Sequence, residues 1–430
     1  MIGIILFIRN IIWGTPTLVL LTVFGVYFTA RSRFFLPRAI CSVFRGTVGG
    51  IFRSGGRESF RAAAVSLGGT VGVGSIAGVA MGIAAGGAGS IFWMWICSFF
   101  GAGLRYAEVC IAMRGGAGCG AAGRLLSLGK KRLSAAVSPF LGCAKKRLAA
   151  AFCIFCVLAS FGTGNLAQSK AAAGALGTLG LPRFACAAIC FALVAVTVSG
   201  GSERISAVSA FVLPAASLIY LSCCGALLIR FPQSVPAAFS RIFSQAFGAD
   251  AVRGGISGAL LQRAVREGFA KSVFSTECGM GSSPLAHSSA GSSLPEEQAK
   301  WGVFEVFFDT FVVSTVTAVC LIGTGSESCT ELFSLLGGAG RLLLPMLTAV
   351  FALASVVSWC FYAGSCITLL PHGGRTAYIV FRTVFSLCAF AAPFLPESDI
   401  WSISDILNAM MMLPNLTLLF ICRKEIKKMR

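Results

Sequence analysis

Two short segments carry the residue types from which a site for a zwitterion and a small cation can be built: Gly72-Val73-Gly74-Ser75 and, far along the chain, Gly279-Met280-Gly281-Ser282. Glycines so spaced interrupt a helix, freeing backbone N–H groups at the start of one half and carbonyls at the end of the other. Those groups hold a carboxylate and a monovalent cation without any charged side chain. Segments 72–75 and 274–282 are therefore the first choice for a binding site. The glycines also admit a plainer role, because Gly74, Gly78, Gly82 and Gly86 share one helix face and let a second helix approach closely.

Five further positions bear on chemistry. Asp309 lies about eight residues, or ~12 Å of rise, inside the apolar stretch 301–323. A carboxylate at that depth is expensive, and it points to an ion or proton path or to structural pairing. Glu277 falls in the second break, where it caps freed N–H groups or takes part in coupling. Glu108 follows Arg105 by three residues, the spacing of an intrahelical pair. Gln168, after Thr163-Gly164-Asn165, directs a long amide into the outer half of its span, to bind a solute or to join two helices. Trp359 sits mid-span with Ser355 and Ser358 close on one face and reads first as packing.

The elements that must position these residues are membrane helices. Of 430 residues, 56% are apolar and 12% charged, too little polar surface to wrap a soluble globule of this size. Uncharged runs long enough for a ~30 Å hydrocarbon core recur, and none alternates with the period of a barrel strand. Spans are expected at 11–30, 62–85, 88–113, 147–169, 183–200, 206–229, 268–290, 301–323, 345–369, 376–394 and 401–422, giving an all-α integral membrane protein of about eleven transmembrane helices. The stretch 268–290 is the least apolar, holding Lys271, Glu277 and His287, and residues 254–267 before it read as a surface helix.

The net charge of +19 sits between the spans. Seven arginines lie between Arg31 and Arg61, eight basic residues between Arg114 and Arg147, and five from Arg423 on, which is 20 of the 35. This is the positive-inside pattern: it sets the N-terminus outside, the C-terminal tail in the cytoplasm, and removes the case for nucleic acid as a partner. The first apolar run is followed by arginines rather than a small-residue cleavage site, so it reads as a retained anchor. The 18 cysteines are scattered in apolar helices and behave as small hydrophobes. With two histidines and no nucleophile motif, the sequence offers no enzyme and no resident cofactor. Spans two to six and seven to eleven form two sets of five, and an odd number of crossings per set gives them opposite orientation. The organisation is thus a helix and basic loop (1–61), a first five-helix repeat (62–230) and a second (231–430).

The segments GGTVGVGSIAGVAMGIAAGGAGSIFWMW (68–95) and FAKSVFSTECGMGSSPLAHSSAG (269–291) closely resemble the sodium:alanine symporter family, and GTGNLAQS (162–169), SERISAVSAFVLP (202–214), VFFDTFVVSTVTAV (306–319) and SDILNAMMMLPN (404–415) look like its other blocks. The resemblance implies a leucine-transporter type fold, two inverted five-helix repeats preceded by one extra helix, and sodium-driven uptake of alanine, glycine or a similar amino acid across the cytoplasmic membrane. It implies substrate contacts at Gly72, Gly74, Ser75, Gln168, Phe274, Ser275, Gly279 and Trp359, a cation between carbonyls near Gly69 to Val73 and the Ser355 hydroxyl, and coupling or helix-break support from Thr276, Glu277 and Asp309. The chain differs from the family's common pattern where Gly72-Val73-Gly74-Ser75 replaces GTGN, and at Thr276, Ala354 and Gly364. A proton-coupled or exchange carrier, with Asp309 or Glu277 titrating, is the nearest rival. A channel or membrane sensor is the alternative from another class.

Overall fold

Every regular element among the described residues is helical. The computed structural model describes residues 15–33, 37–50, 56–114, 139–247, 257–290, 294–370 and 374–426. The expected start of the first span at 11–14, the basic stretch 115–138, residues 254–256 of the expected surface helix and the tail residues 427–430 lie outside these.

In chain order the helices are α1 (Thr15–Ser32), α2 (Pro37–Gly46), α3 (Gly56–Thr70), α4 (Gly74–Gly86), α5 (Gly89–Met113), α6 (Arg147–Gly177), α7 (Arg183–Ser199) and α8 (Gly201–Arg230). They continue as α9 (Ser234–Ala246), α10 (Ser257–Thr276), α11 (Ser283–His287), α12 (Pro295–Thr324), α13 (Cys329–Ser334), α14 (Gly338–Leu369), α15 (Arg375–Ala391) and α16 (Glu397–Ile421). Seven of them are long and apolar enough to cross a membrane, and an eighth candidate is the pair α3 and α4, bent by 47° at residues 71–73. The helices α1 and α7 are apolar but shorter, and α10 carries Arg263, Arg266, Glu267 and Lys271. On α8, Phe211, Leu218 and Ile229 are exposed, as side chains turned to lipid would be.

The segment 254–290 folds differently from its expected division into a surface helix and a span. Its described part from Ser257 to Thr276 is one continuous helix, because nothing in it breaks the backbone pattern and Ala264, Phe269 and Val273 are all buried. The interruption comes afterwards, where Glu277, Gly279 and Gly281 have φ of +52°, +88° and +78°. A helix cannot pass through three left-handed residues in five, and glycine supplies two of them at least cost. The short helix α11 then restarts with Pro284 in its first turn.

The glycine stripe of α4 lies along α10. A methyl added at Gly74 would meet the Phe274 ring at 2.9 Å, one at Gly82 would meet Lys271 Cγ at 3.2 Å, and one at Gly86 would meet Glu267 Cβ at 2.8 Å. Gly78 faces open space. The two broken helices are therefore pressed side by side by small residues, as expected where lipid offers no hydrophobic driving force between helices. Apolar side chains of α5, α6, α12, α14 and α16 form one core, and those of α4, α8, α9, α12 and α14 a second.

Candidate functional site

Polar side chains meet where the two breaks come together. The break after α3 begins at Thr70, and Gly72 N–H turns back onto the Thr70 carbonyl at 2.9 Å. A methyl on Gly72 would lie 2.4 Å from Ser355 Oγ and 3.5 Å from Gln168 Oε1. Ser355 Oγ donates to the Gly68 carbonyl at 2.9 Å, so α14 is tied to the last turn of α3 at this point. A methyl on Gly69 would instead strike the Tyr362 hydroxyl. Gln168 is 4% exposed, and its Oε1 has no hydrogen-bond partner. A buried acceptor left unpaired costs ~1–3 kcal/mol, so this carbonyl is an orphan that a ligand's donor would satisfy.

One turn further along α4, Ser75 donates to Asp309 Oδ1, and Ser275 of α10 donates to Asp309 Oδ2 at 2.7 Å. The two serine hydroxyls are 3.2 Å apart. Thr310 adds a third contact to Asp309 Oδ2 at 3.4 Å, and its hydroxyl continues through Ser98 to Ser272 at 2.9 and 2.7 Å. Two helices change to π-helical winding at this group, over Gly74–Gly78 and Phe307–Ser314, and a third does so over Ser160–Leu166, just before Gln168. Such single-turn expansions re-aim side chains and concentrate at functional sites.

Three clefts run down to this region. One of about 490 Å³ is lined by Val73, Met81, Lys170, Glu397 and Trp401. A second, of about 640 Å³, shares Val73 and Met81 and reaches Glu327 and Arg341. A third, of about 310 Å³, is lined by Phe274, Lys271, Trp401, Asp405 and Asn408. Phe274 packs edge-on to Trp401 with ring centroids 5.0 Å apart. Val73 and Phe274, expected as site residues, thus line the clefts.

Other expected residues lie elsewhere in the same core. Trp359 is fully buried; its Cβ would be 2.4 Å from a methyl on Gly164, and its ring is edge-on to Tyr362 at 5.7 Å. The Gly279 carbonyl accepts from Asn415 Nδ2 at 2.9 Å, and its α-carbon faces Leu21 and Leu104. Thr276 donates to its own helix at the Ser272 carbonyl, 2.8 Å, and its carbonyl accepts from Arg105. Glu277 accepts from Ser282 Oγ at 2.6 Å across the break it occupies. Arg105 and Glu108 form the expected intrahelical pair at 3.7 Å, with Asn415 donating to Glu108 at 2.6 Å.

A second polar group has no counterpart among the expected site residues. Glu305 Oε1 is 3.0 Å from His287 Nε2, while Oε2 accepts from Ser66 at 2.6 Å and from Ser283 at 3.4 Å. It joins α3, α11 and α12. The signal was present: Glu305 stands four residues before Asp309 inside the same apolar span, where the reasoning applied to Asp309 holds equally.

The sodium:alanine symporter family model matches residues 2–430. The chain belongs to that family. A transporter of Haemophilus influenzae with no assigned solute is 32% identical over 97% of this chain and 93% of its own length. The sodium/alanine symporter AgcS of Methanococcus maripaludis is 30% identical, covering 95% and 92%. A sodium/proton-dependent alanine carrier protein of Bacillus sp. strain PS3 is 27% identical, with 82% of each covered. Members of the sodium:alanine symporter family are transporters rather than enzymes.

Proposed function

We propose that the chain carries a small neutral amino acid, alanine or glycine, into the cell together with sodium by alternating access across the cytoplasmic membrane. The observation that carries this reading is the unpaired Gln168 carbonyl beside Gly72 and Ser355, at a glycine-broken helix where freed backbone N–H groups take a carboxylate and Gln168 takes the ammonium. In this reading the substrate touches Gly72, Gly74, Ser75, Gln168, Phe274 and Ser275, while Gly279 and Trp359, expected as contacts too, shape the packing behind them. Sodium lies among carbonyls of Gly69 to Val73 and the Ser355 hydroxyl. Thr276, Glu277 and Asp309 support the breaks and the coupling. In the same reading the chain crosses the membrane about eleven times in a leucine-transporter type fold, in which α3/α4 and α10/α11 lead two inverted repeats. The N-terminus is outside and the C-terminus in the cytoplasm.

Uptake of labelled alanine, glycine and serine into proteoliposomes tests this. Accumulation is expected under an inward sodium gradient and not under an equal potassium gradient or a proton gradient alone. Accumulation driven by protons without sodium would replace sodium as the coupling ion, and none under any gradient would end the amino acid reading for these solutes. Gln168→Leu is expected to leave the melting temperature of the purified protein almost unchanged, since the carbonyl it removes has no partner. The same change should raise the KM for uptake at least about tenfold, the worth of one hydrogen bond to a charged group.

A further inference from the structure

Arg382 is a cation set among carbonyls. It lies seven residues beyond Arg375, or ~10 Å of rise into α15, and among the described residues no Asp or Glu pairs with it. Its Nη1 donates to the Val198 and Ser199 carbonyls that end α7, at 3.2 and 3.3 Å, and its guanidinium lies over the Tyr378 ring at 5.1 Å. Arg204, at the start of α8, donates to the Val196 carbonyl of the same last turn at 2.9 Å. A helix C-terminus supplies about half a negative charge, and here two guanidinium groups share it. Across 183–205 and 371–391 the sequence holds one acid, Glu203, which is exposed. Positive charge is therefore in excess, and Arg382 Nε is buried with no hydrogen-bond partner.

These groups stand at a cleft between α7 and α15. It measures about 220 Å³ and is lined by Arg382, Ser199 and Ser386 together with Phe191 and Leu387. The Ser199 and Ser386 hydroxyls donate to carbonyls of their own helices at 2.8 and 2.9 Å, and rotation would aim either at a ligand oxygen. A guanidinium fork beside hydroxyls is the donor chemistry of phosphate. Apolar side chains adjoin it, with Val196 62% and Leu387 54% exposed, so a ligand here has hydrocarbon to cover as well as charge. A free phosphate meets only the second need. A phospholipid meets both.

We infer that the cleft between α7 and α15 binds an anionic phospholipid, with its phosphodiester on the Arg382 fork and the Ser199 and Ser386 hydroxyls and an acyl chain along Phe191 and Leu387. On the orientation proposed above, this end faces the cytoplasmic leaflet, where basic side chains near the surface meet anionic headgroups. The lipid would also brace the helix behind the proposed substrate site. The Phe385 carbonyl of α15 accepts from Asn165, and the Phe381 and Phe385 rings pack on Phe161. Phe161 and Asn165 belong to the π-helical turns that lead to Gln168.

The test needs neither transport nor a bilayer. Purified, delipidated full-length protein in dodecyl maltoside is melted over a series of phosphatidylglycerol concentrations, with phosphatidylcholine and inorganic phosphate as parallel series at constant ionic strength. Phosphatidylglycerol alone is expected to raise the melting temperature and to saturate. Arg382→Gln should move that midpoint at least about tenfold to higher lipid, the loss of a charge-assisted hydrogen bond. Arg45→Gln, at an exposed arginine of α2, should leave it in place. Should Arg382→Gln not fold, Thr383→Glu sets a carboxylate in the lining of the cleft and should weaken phosphatidylglycerol as much. An equal response to phosphatidylcholine would reduce the site to ordinary lipid contact, and an equal response to phosphate would make it a free-anion site; either overturns the proposal. So would a midpoint that Arg382→Gln and Thr383→Glu leave unchanged. The transport reading stands or falls separately, on the uptake assay.

Discussion

Arg105→Met is expected to cost the protein about 3–5 kcal/mol of stability, the loss seen when one partner of a buried ion pair is removed. Arg105 is fully buried, and its guanidinium pairs with Glu108 and donates to the Thr276 carbonyl at the last turn of α10. Without it Glu108 keeps neutral donors such as the Asn415 amide but loses its guanidinium, and the carbonyl that ends α10 loses its donor. Set against a typical margin of ~5–15 kcal/mol, that change is large. Thermal unfolding in detergent measures it. Arg105→Met with Glu108→Gln should recover much of the loss, because the cost comes from an uncompensated charge and the double variant has none. A single variant that melts within about 2 °C of the parent would show that the pair stabilises nothing.

Gly72→Ala should abolish most transport with little change in fold. The methyl would arrive 2.4 Å from Ser355 Oγ, the hydroxyl bound to the Gly68 carbonyl, and 3.5 Å from the Gln168 carbonyl. Forcing that hydroxyl aside costs about 1–3 kcal/mol, and in the proposed reading the methyl also takes the space given to the substrate, where an equal penalty on binding is about one to two decades in affinity. Measured uptake should drop by that amount for alanine and further for serine, whose side chain is longer. Equal uptake by variant and parent would place the substrate away from Gly72. Gly78→Ala is the natural control, because its α-carbon faces open space.

The positions of the breaks could be read from residue type alone. Left-handed backbone excludes most side chains, so Gly279 and Gly281 mark the second break in any fold that contains them. Apolar runs located the long helices, and three-residue spacing was enough to pair Arg105 with Glu108, since both depend on local geometry. Helix ends were less legible: α10 runs through the boundary expected near residue 268, because burial of Phe269 and Val273 against neighbouring helices continues what the charged face before them obscures.

By itself the sequence determined that this is a helical membrane protein, where its helices are interrupted, and which acids lie at a depth that requires a partner. Only the tertiary structure decided who those partners are. Asp309 meets Ser75 and Ser275, which stand far from it in the chain, and Glu305 meets His287 and Ser66. It also left the Gln168 carbonyl without a partner and set Trp359 against Gly164. The physical reason is one of range. Propensity, glycine strain and hydropathy act within a few residues, whereas a buried polar group is satisfied by whatever the packing of distant helices brings within about 3 Å.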